Sequence, residues 1–179
     1  VGDSVGPGGL FRAMRVLPMY EGFADKIREH CPDAWVINYT NPMTLCTRIL
    51  YERFPLIKAF GCCHEVFGTQ KILAYALKEF CGITVDRRMI KTNVLGINHF
   101  TWIDRAEYQG RDLFQLYERL VEKYGETGLE GGEKNHWANK ELTSGNKVKF
   151  DLFKRYGLIA AAGDRHLAEF CPPWYLKNP

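Results

Sequence analysis

The chain has 179 residues, 46% of them hydrophobic and 25% charged, with a formal net charge of +3. This composition suits a globular protein with its own apolar core. It excludes a strongly basic nucleic-acid binder and offers no run of the ~20 apolar residues that a membrane-spanning helix needs. No signal-peptide pattern opens the chain. Six cysteines spread through core-forming sequence point to reduced thiols and a cytoplasmic protein, and a bridge between the adjacent Cys62 and Cys63 would be strained. The start VGDSVGPGG and the end YLKNP read as the cut ends of an internal piece of a longer protein.

In chain order, residues 10–30 place Leu10, Met14, Leu17, Phe23 and Ile27 at roughly helical spacing, with Pro18 predicting a kink or break. The β-branched and aromatic run AWVINYT (34–40) predicts a buried strand that ends at Asn41-Pro42. MTLCTRILYERF (43–54) is a helix with Pro42 near its first turn. LIKAFGC (56–62) is a second buried strand, and residues 64–80 form a helix that Gly82 ends. Strand, helix, strand, helix at this spacing predicts βαβ units with a parallel sheet. The extended stretch 89–110 suits antiparallel strands instead. Residues 112–125 and 147–157 read as helices, and the glycine-rich segment 125–135 reads as a mobile loop. A boundary near residue 88 therefore separates a partial α/β domain (1–88) from a partial α+β domain (89–179).

Parallel α/β sheets bind ligands at the carboxyl ends of their strands. Asn41-Pro42 ends the first strand, Cys63-His64 ends the second, and Asn98-His99 follows the extended run VLGI. Thiolate and imidazole suit a borderline divalent ion. Cys63 and His99 are far apart in sequence, however, and on spacing alone a small buried thiol with a hydrogen-bonded core histidine is the better reading. His64 and Glu65 at a helix start read either as chemistry or as dipole-compensating groups. In GDRHLAEF (163–170), His166 is a candidate general base tuned by Asp164, and Arg165 a candidate carboxylate receptor. A solvated helix start capped by Asp164 fits the same residues.

The segments GPGGLFRAMR, WVINYTNPMTLC, AFGCCHEVFGTQK, NVLGINHFTWI and AAGDRHLAEF, in this order, resemble glycoside hydrolase family 4, and within it most resemble the bacterial α-galacturonidases. The resemblance covers nearly all of the chain. It implies the C-terminal part of a Rossmann-like sheet, of the lactate and malate dehydrogenase type, followed by an α+β catalytic region. It also implies an N-terminal GxG unit outside this sequence. Family members are NAD-dependent exceptions to two-carboxylate glycoside hydrolysis and use NAD⁺ with Mn²⁺ or another divalent metal. The implied reaction oxidises sugar C3, removes the C2 proton, eliminates at C1, adds water and returns the hydride.

Carried over by residue, the resemblance implies Cys63 and His99 as metal ligands and Asn41 as a holder of the sugar hydroxyls. Asn41 and Pro42 are expected on the cofactor side, and Asp3 in the substrate site. His64 becomes a candidate proton donor to the leaving group. The base lies between His166 and Asp164, because His166 stands where several relatives place a tyrosine. Arg165 is expected to receive a uronate carboxylate. The expected partner is a small carbohydrate, a uronide, with no nucleic acid or membrane, and the protein is expected to be a homo-oligomer. A 2-hydroxyacid dehydrogenase of the same superfold and an inactive truncated module are the alternatives.

Overall fold

The structure, a computed structural model, describes residues 2, 4–129, 145–172 and 175. It divides into two compact units, Val1–Cys63 and His64–Pro179.

The first unit is built as helix, strand, helix, strand: α1 (Gly6–His30), β1 (Trp35–Asn38), α2 (Met43–Arg53) and β2 (Lys58–Gly61). Pro7 lies in the first turn of α1, where a missing N–H leaves nothing unpaired. The helix runs on through Pro18 without ending there. Its packing differs from the expectation. Leu10, Met14 and Phe23 are 60%, 64% and 50% exposed, whereas Ala13 and Ala24 are buried. The reason is the closeness of α2. Ala24, flanked by Tyr20 and Ile27, meets Leu50 and Phe54, a contact that larger side chains would hold apart. Strands β1 and β2 pair in parallel, Trp35 opposite Lys58 and Asn38 opposite Gly61, with α2 as their connection. This is the predicted βαβ unit, but its strands are not the buried ones expected: Trp35 and Ile37 of β1 and Phe60 of β2 are exposed on one face.

The second unit opens with α3 (Glu65–Cys81), which ends on Gly82 in the left-handed conformation at φ 69°, as its sequence predicts. Strands β3 (Lys91–Ile97) and β4 (Phe100–Tyr108) form the expected antiparallel pair, joined by Asn98-His99. The short strands β5 (Arg111–Asp112) and β6 (Ile159–Ala160) both pair with β4. Helix α4 (Phe114–Tyr124) is amphipathic and buries Leu116, Tyr117, Leu120 and Val121. Helices α5 (Lys147–Tyr156) and α6 (Asp164–Phe170) complete the described part. The core joins Leu73 and Leu77 of α3 to Ile103 of β4, Tyr117 of α4 and Phe150 of α5. The expected glycine-rich loop lies outside the described residues from 130 onward. Among the described residues, no helix is long and apolar enough to cross a membrane.

Candidate functional site

In the first unit, both parallel strands end on the same edge, and one buried amide organises that edge. Asn38, the last residue of β1, is 3% exposed. Its Oδ1 accepts from Tyr20 Oη at 2.7 Å and from the Thr40 amide at 2.9 Å. Its Nδ2 donates to the Met43 carbonyl and to Thr47 Oγ1, both at 3.2 Å. With donor and acceptor satisfied, the amide holds the turn 39–42 against the start of α2 and so presents half-buried Asn41 beside buried Pro42. The Cys62 amide donates to the Asn38 carbonyl at 3.0 Å, extending the pairing by one step towards half-buried Cys63. Gly61 is needed at this point, because a Cβ there would lie 2.7 Å from Met43 Cγ. A hydrogen bond with the Cys62 thiol raises the pKa of the Tyr39 phenol above its ordinary value. Asn41 and Cys63 are thus delivered by one strand edge. Asp3 lies outside the described residues.

In the second unit, His64 is the exposed cap residue of α3, with Nε2 3.9 Å from Glu65 Oε1. Glu65 reaches back: its Oε2 accepts from the Gly163 amide at 2.5 Å. His99 is buried, 3% exposed, in the turn between β3 and β4, and its backbone is left-handed at φ 63°. A histidine in that conformation costs roughly 1–2 kcal/mol and persists where surrounding structure holds it. His166 of α6 supplies such a hold. The two imidazoles stack with centroids 3.7 Å apart and planes 16° from parallel. His166 Nδ1 lies 3.2 Å from Glu169 Oε1, one helical turn on.

Asp164, expected to tune His166, does something else. It is buried, and its two oxygens accept from the Val148 and Lys149 amides, each at 3.0 Å. It therefore caps the N-terminus of α5 from another helix, satisfying donors that have no partner within their own helix. Arg165, next along α6, is exposed. Cys63 belongs to the first unit and His99 to the second. Among the described residues no three His, Cys, Asp or Glu side chains gather as a metal-holding group.

Asn38, the Glu65–Gly163 contact, the Glu169 partner of His166, and Lys149 emerge only from the fold. Lys149 is 2% exposed, and its Nζ donates to Thr69 Oγ1 at 2.6 Å. Burial is the main cause that lowers its pKa to about 8, against the opposing pull of Asp164 and Glu65. A signal for it was present, because Lys149 interrupts the apolar run Val148, Phe150, Leu152 on a helix.

The fold and these sites define an α/β protein with polar side chains gathered at the carboxyl ends of parallel strands and at one β-hairpin turn. Two family models match the chain: the family 4 glycosyl hydrolase over residues 1–79 and the family 4 glycosyl hydrolase C-terminal domain over residues 94–178. The chain belongs to glycosyl hydrolase family 4. It is 64% identical, over its whole length, to an α-galacturonidase of Thermoanaerobacterium saccharolyticum, and 56% identical to one of Bacillus subtilis. It spans 39% of the first relative and 40% of the second. The crystal structure of the lplD protein of Bacillus subtilis matches 97% of the chain, and the chain covers 40% of it, with a TM-score of 0.88 and 54% identity. A 6-phospho-α-glucosidase from gut microorganisms, crystallised with NAD and Mn²⁺, shares the fold over 98% of the chain, and the chain covers 41% of it, with a TM-score of 0.72 and 18% identity.

Proposed function

We propose that the enzyme containing this chain cleaves α-galacturonides by a redox-assisted elimination and addition. The observation that carries this reading is the 64% identity, across the whole chain, with a relative named α-galacturonidase. NAD⁺ would supply a reversible hydride acceptor for sugar C3, and Mn²⁺ or another divalent ion would stabilise negative charge on the sugar oxygens. The donor set fits such an ion in kind, since Cys63 offers a thiolate sulfur and His99 an imidazole nitrogen. Asn41, beside Pro42, holds sugar hydroxyls at the strand edge on the cofactor side, and Asp3 belongs to the same substrate site.

His166 is assigned as the base. Nδ1 lies 3.2 Å from Glu169 Oε1; in the tautomer that donates Nδ1–H to that carboxylate, Nε2 is the basic nitrogen, and it is assigned the proton from sugar C2. Asp164, with both oxygens given to α5, is the weaker candidate. Exposed His64 donates the proton to the departing oxygen. Arg165 is the receptor that charge logic gives to the uronate carboxylate. The same reading keeps residues 1–88 as the dinucleotide-binding side and 89–179 as the catalytic side of a cytoplasmic homo-oligomer.

The test is turnover of an aryl α-galacturonide with Mn²⁺ and NAD⁺ omitted in turn. Release of the aryl alcohol that needs both supports the proposal. Oxidation of lactate or malate without glycoside cleavage would replace it with the dehydrogenase reading. Among variants, His166→Asn should lower kcat by at least ~10²-fold and Asp164→Asn by much less; the reverse order would transfer the role of base to Asp164.

A further inference from the structure

The second unit holds a cleft of about 480 Å³, and its lining includes a buried lysine that the reaction above leaves unused. Lys149 lines it together with Lys71, Glu65, Asn146, Tyr75 and Ile72. The Lys149 ammonium has three N–H donors. Among the described residues its side-chain hydrogen bond goes to Thr69 Oγ1, and that hydroxyl in turn donates to the Ala161 carbonyl at 2.8 Å. Asp164 and Glu65 act on the ammonium through space, but among the described residues neither makes a hydrogen bond or ion pair with it; both oxygens of Asp164 accept amides of α5, and Glu65 Oε2 accepts the Gly163 amide. A buried cation left incompletely paired is costly. When it faces a cleft, it marks a site for an anion.

The charges in the lining favour an anion. Lys149 and Lys71 contribute two positive charges and Glu65 one negative, and His64, which also lines the cleft, adds a further positive charge when it carries the proton it is to donate. Of the anions that such an excess can hold, a carboxylate is the one that an α-galacturonide brings. Glu65 Oε1 can then accept from hydroxyls, and Ile72 and Tyr75 give an apolar wall for the C–H face of a ring.

We propose that Lys149 Nζ receives the carboxylate of a sugar acid in this cleft, with Lys71 adding charge from its exposed position on α3 and Glu65 engaging the ligand's hydroxyls. This rests on the α-galacturonide reading and transfers recognition of the uronate from exposed Arg165 to a buried residue. The pairing occurs away from bulk water, where it discriminates more strongly against a neutral sugar.

The test is calorimetric titration of the intact enzyme with D-galacturonate and with D-galactose, comparing wild type, Lys149→Met and Arg165→Gln, with circular dichroism as the check on folding. Lys149→Met should weaken galacturonate binding by about 30-fold or more and change galactose binding far less. Equal loss for both sugars in a folded variant, no loss for galacturonate, or a larger loss in Arg165→Gln overturns the proposal. So does failure of the wild type to bind galacturonate.

Should Lys149→Met fail to fold, the pH dependence of the wild type decides. Asp164 on α6, Glu65 and Lys71 on α3, and His64 at the start of α3 are the charged and titratable groups around Lys149 and its cleft. The ligand carboxylate stays ionised throughout, while the lysine, with its pKa near 8, loses its proton as the pH rises. Galacturonate affinity should therefore fall about tenfold from pH 7 to pH 9; a flat profile overturns the proposal. Hydrolysis of the aryl α-galacturonide is scored separately. Lys149-dependent binding without hydrolysis removes the proposed function and leaves this site standing, and hydrolysis with Lys149-independent binding does the reverse.

Discussion

Asp164 shows how a residue with the chemistry of a base can be committed to structure. Both of its oxygens receive amides at the start of α5, so Asp164→Ala leaves two N–H groups, one buried and one half-buried, without acceptors. Loss of such a cap costs about 0.5–2 kcal/mol, and urea denaturation should show the loss for Asp164→Ala and not for exposed Arg165→Ala. Lys149 acts in the opposite sense. Its folded pKa of about 8 lies below its ordinary 10.5, so between those values the unfolded chain binds more protons than the folded one. Its contribution to stability therefore rises with pH across that window. The difference in stability between wild type and Lys149→Met should grow with the same sign, read from denaturant midpoints at pH 7.5 and pH 10. Cys63→Ser replaces a soft thiolate by a hard hydroxyl. The proposal predicts a strong loss of metal-dependent turnover there, measured across a Mn²⁺ titration; an unchanged titration would remove the ligand assignment.

At the scale of elements, the β3–β4 hairpin carries His99, and Gly96 makes its geometry possible. Gly96 has φ 116°, and a Cβ there would lie 2.5 Å from the Phe100 carbonyl oxygen. Gly96→Ala should destabilise the second unit by more than about 1 kcal/mol and loosen the stack of His99 on His166. A lower midpoint, with loss of the shared imidazole contact in NMR spectra, is the expected result. The strands and helices around these residues were legible in the sequence where breakers bound them. AWVINYT stood between Pro32-Asp33 and Asn41-Pro42, and Gly82 and Gly157 ended their helices in the left-handed conformation. The face of α1 was not legible, because large apolar residues there point outward while Gly9, Ala13 and Ala24 make the buried side. Periodicity locates a stripe, but the closeness of α2 decides which stripe is buried. The partners of His166 and Lys149 were hidden for a similar reason. Sequence neighbours suggested Asp164 for the histidine, whereas the helix brings Glu169, and Lys149 meets a threonine on another helix.

For the whole molecule, the central claim is that glycosidic cleavage proceeds through loss of the C2 proton to His166, not through direct displacement at C1. Hydrolysis at two carboxylates leaves the C2–H bond untouched. Elimination followed by addition of water exchanges it with solvent. The most direct measurement is therefore hydrolysis of an aryl α-galacturonide in D₂O by the intact enzyme with Mn²⁺ and NAD⁺, followed by NMR of the released sugar. One solvent deuterium at C2 of the galacturonate is the expected result. Product formed at full rate with its original hydrogen at C2 would contradict it.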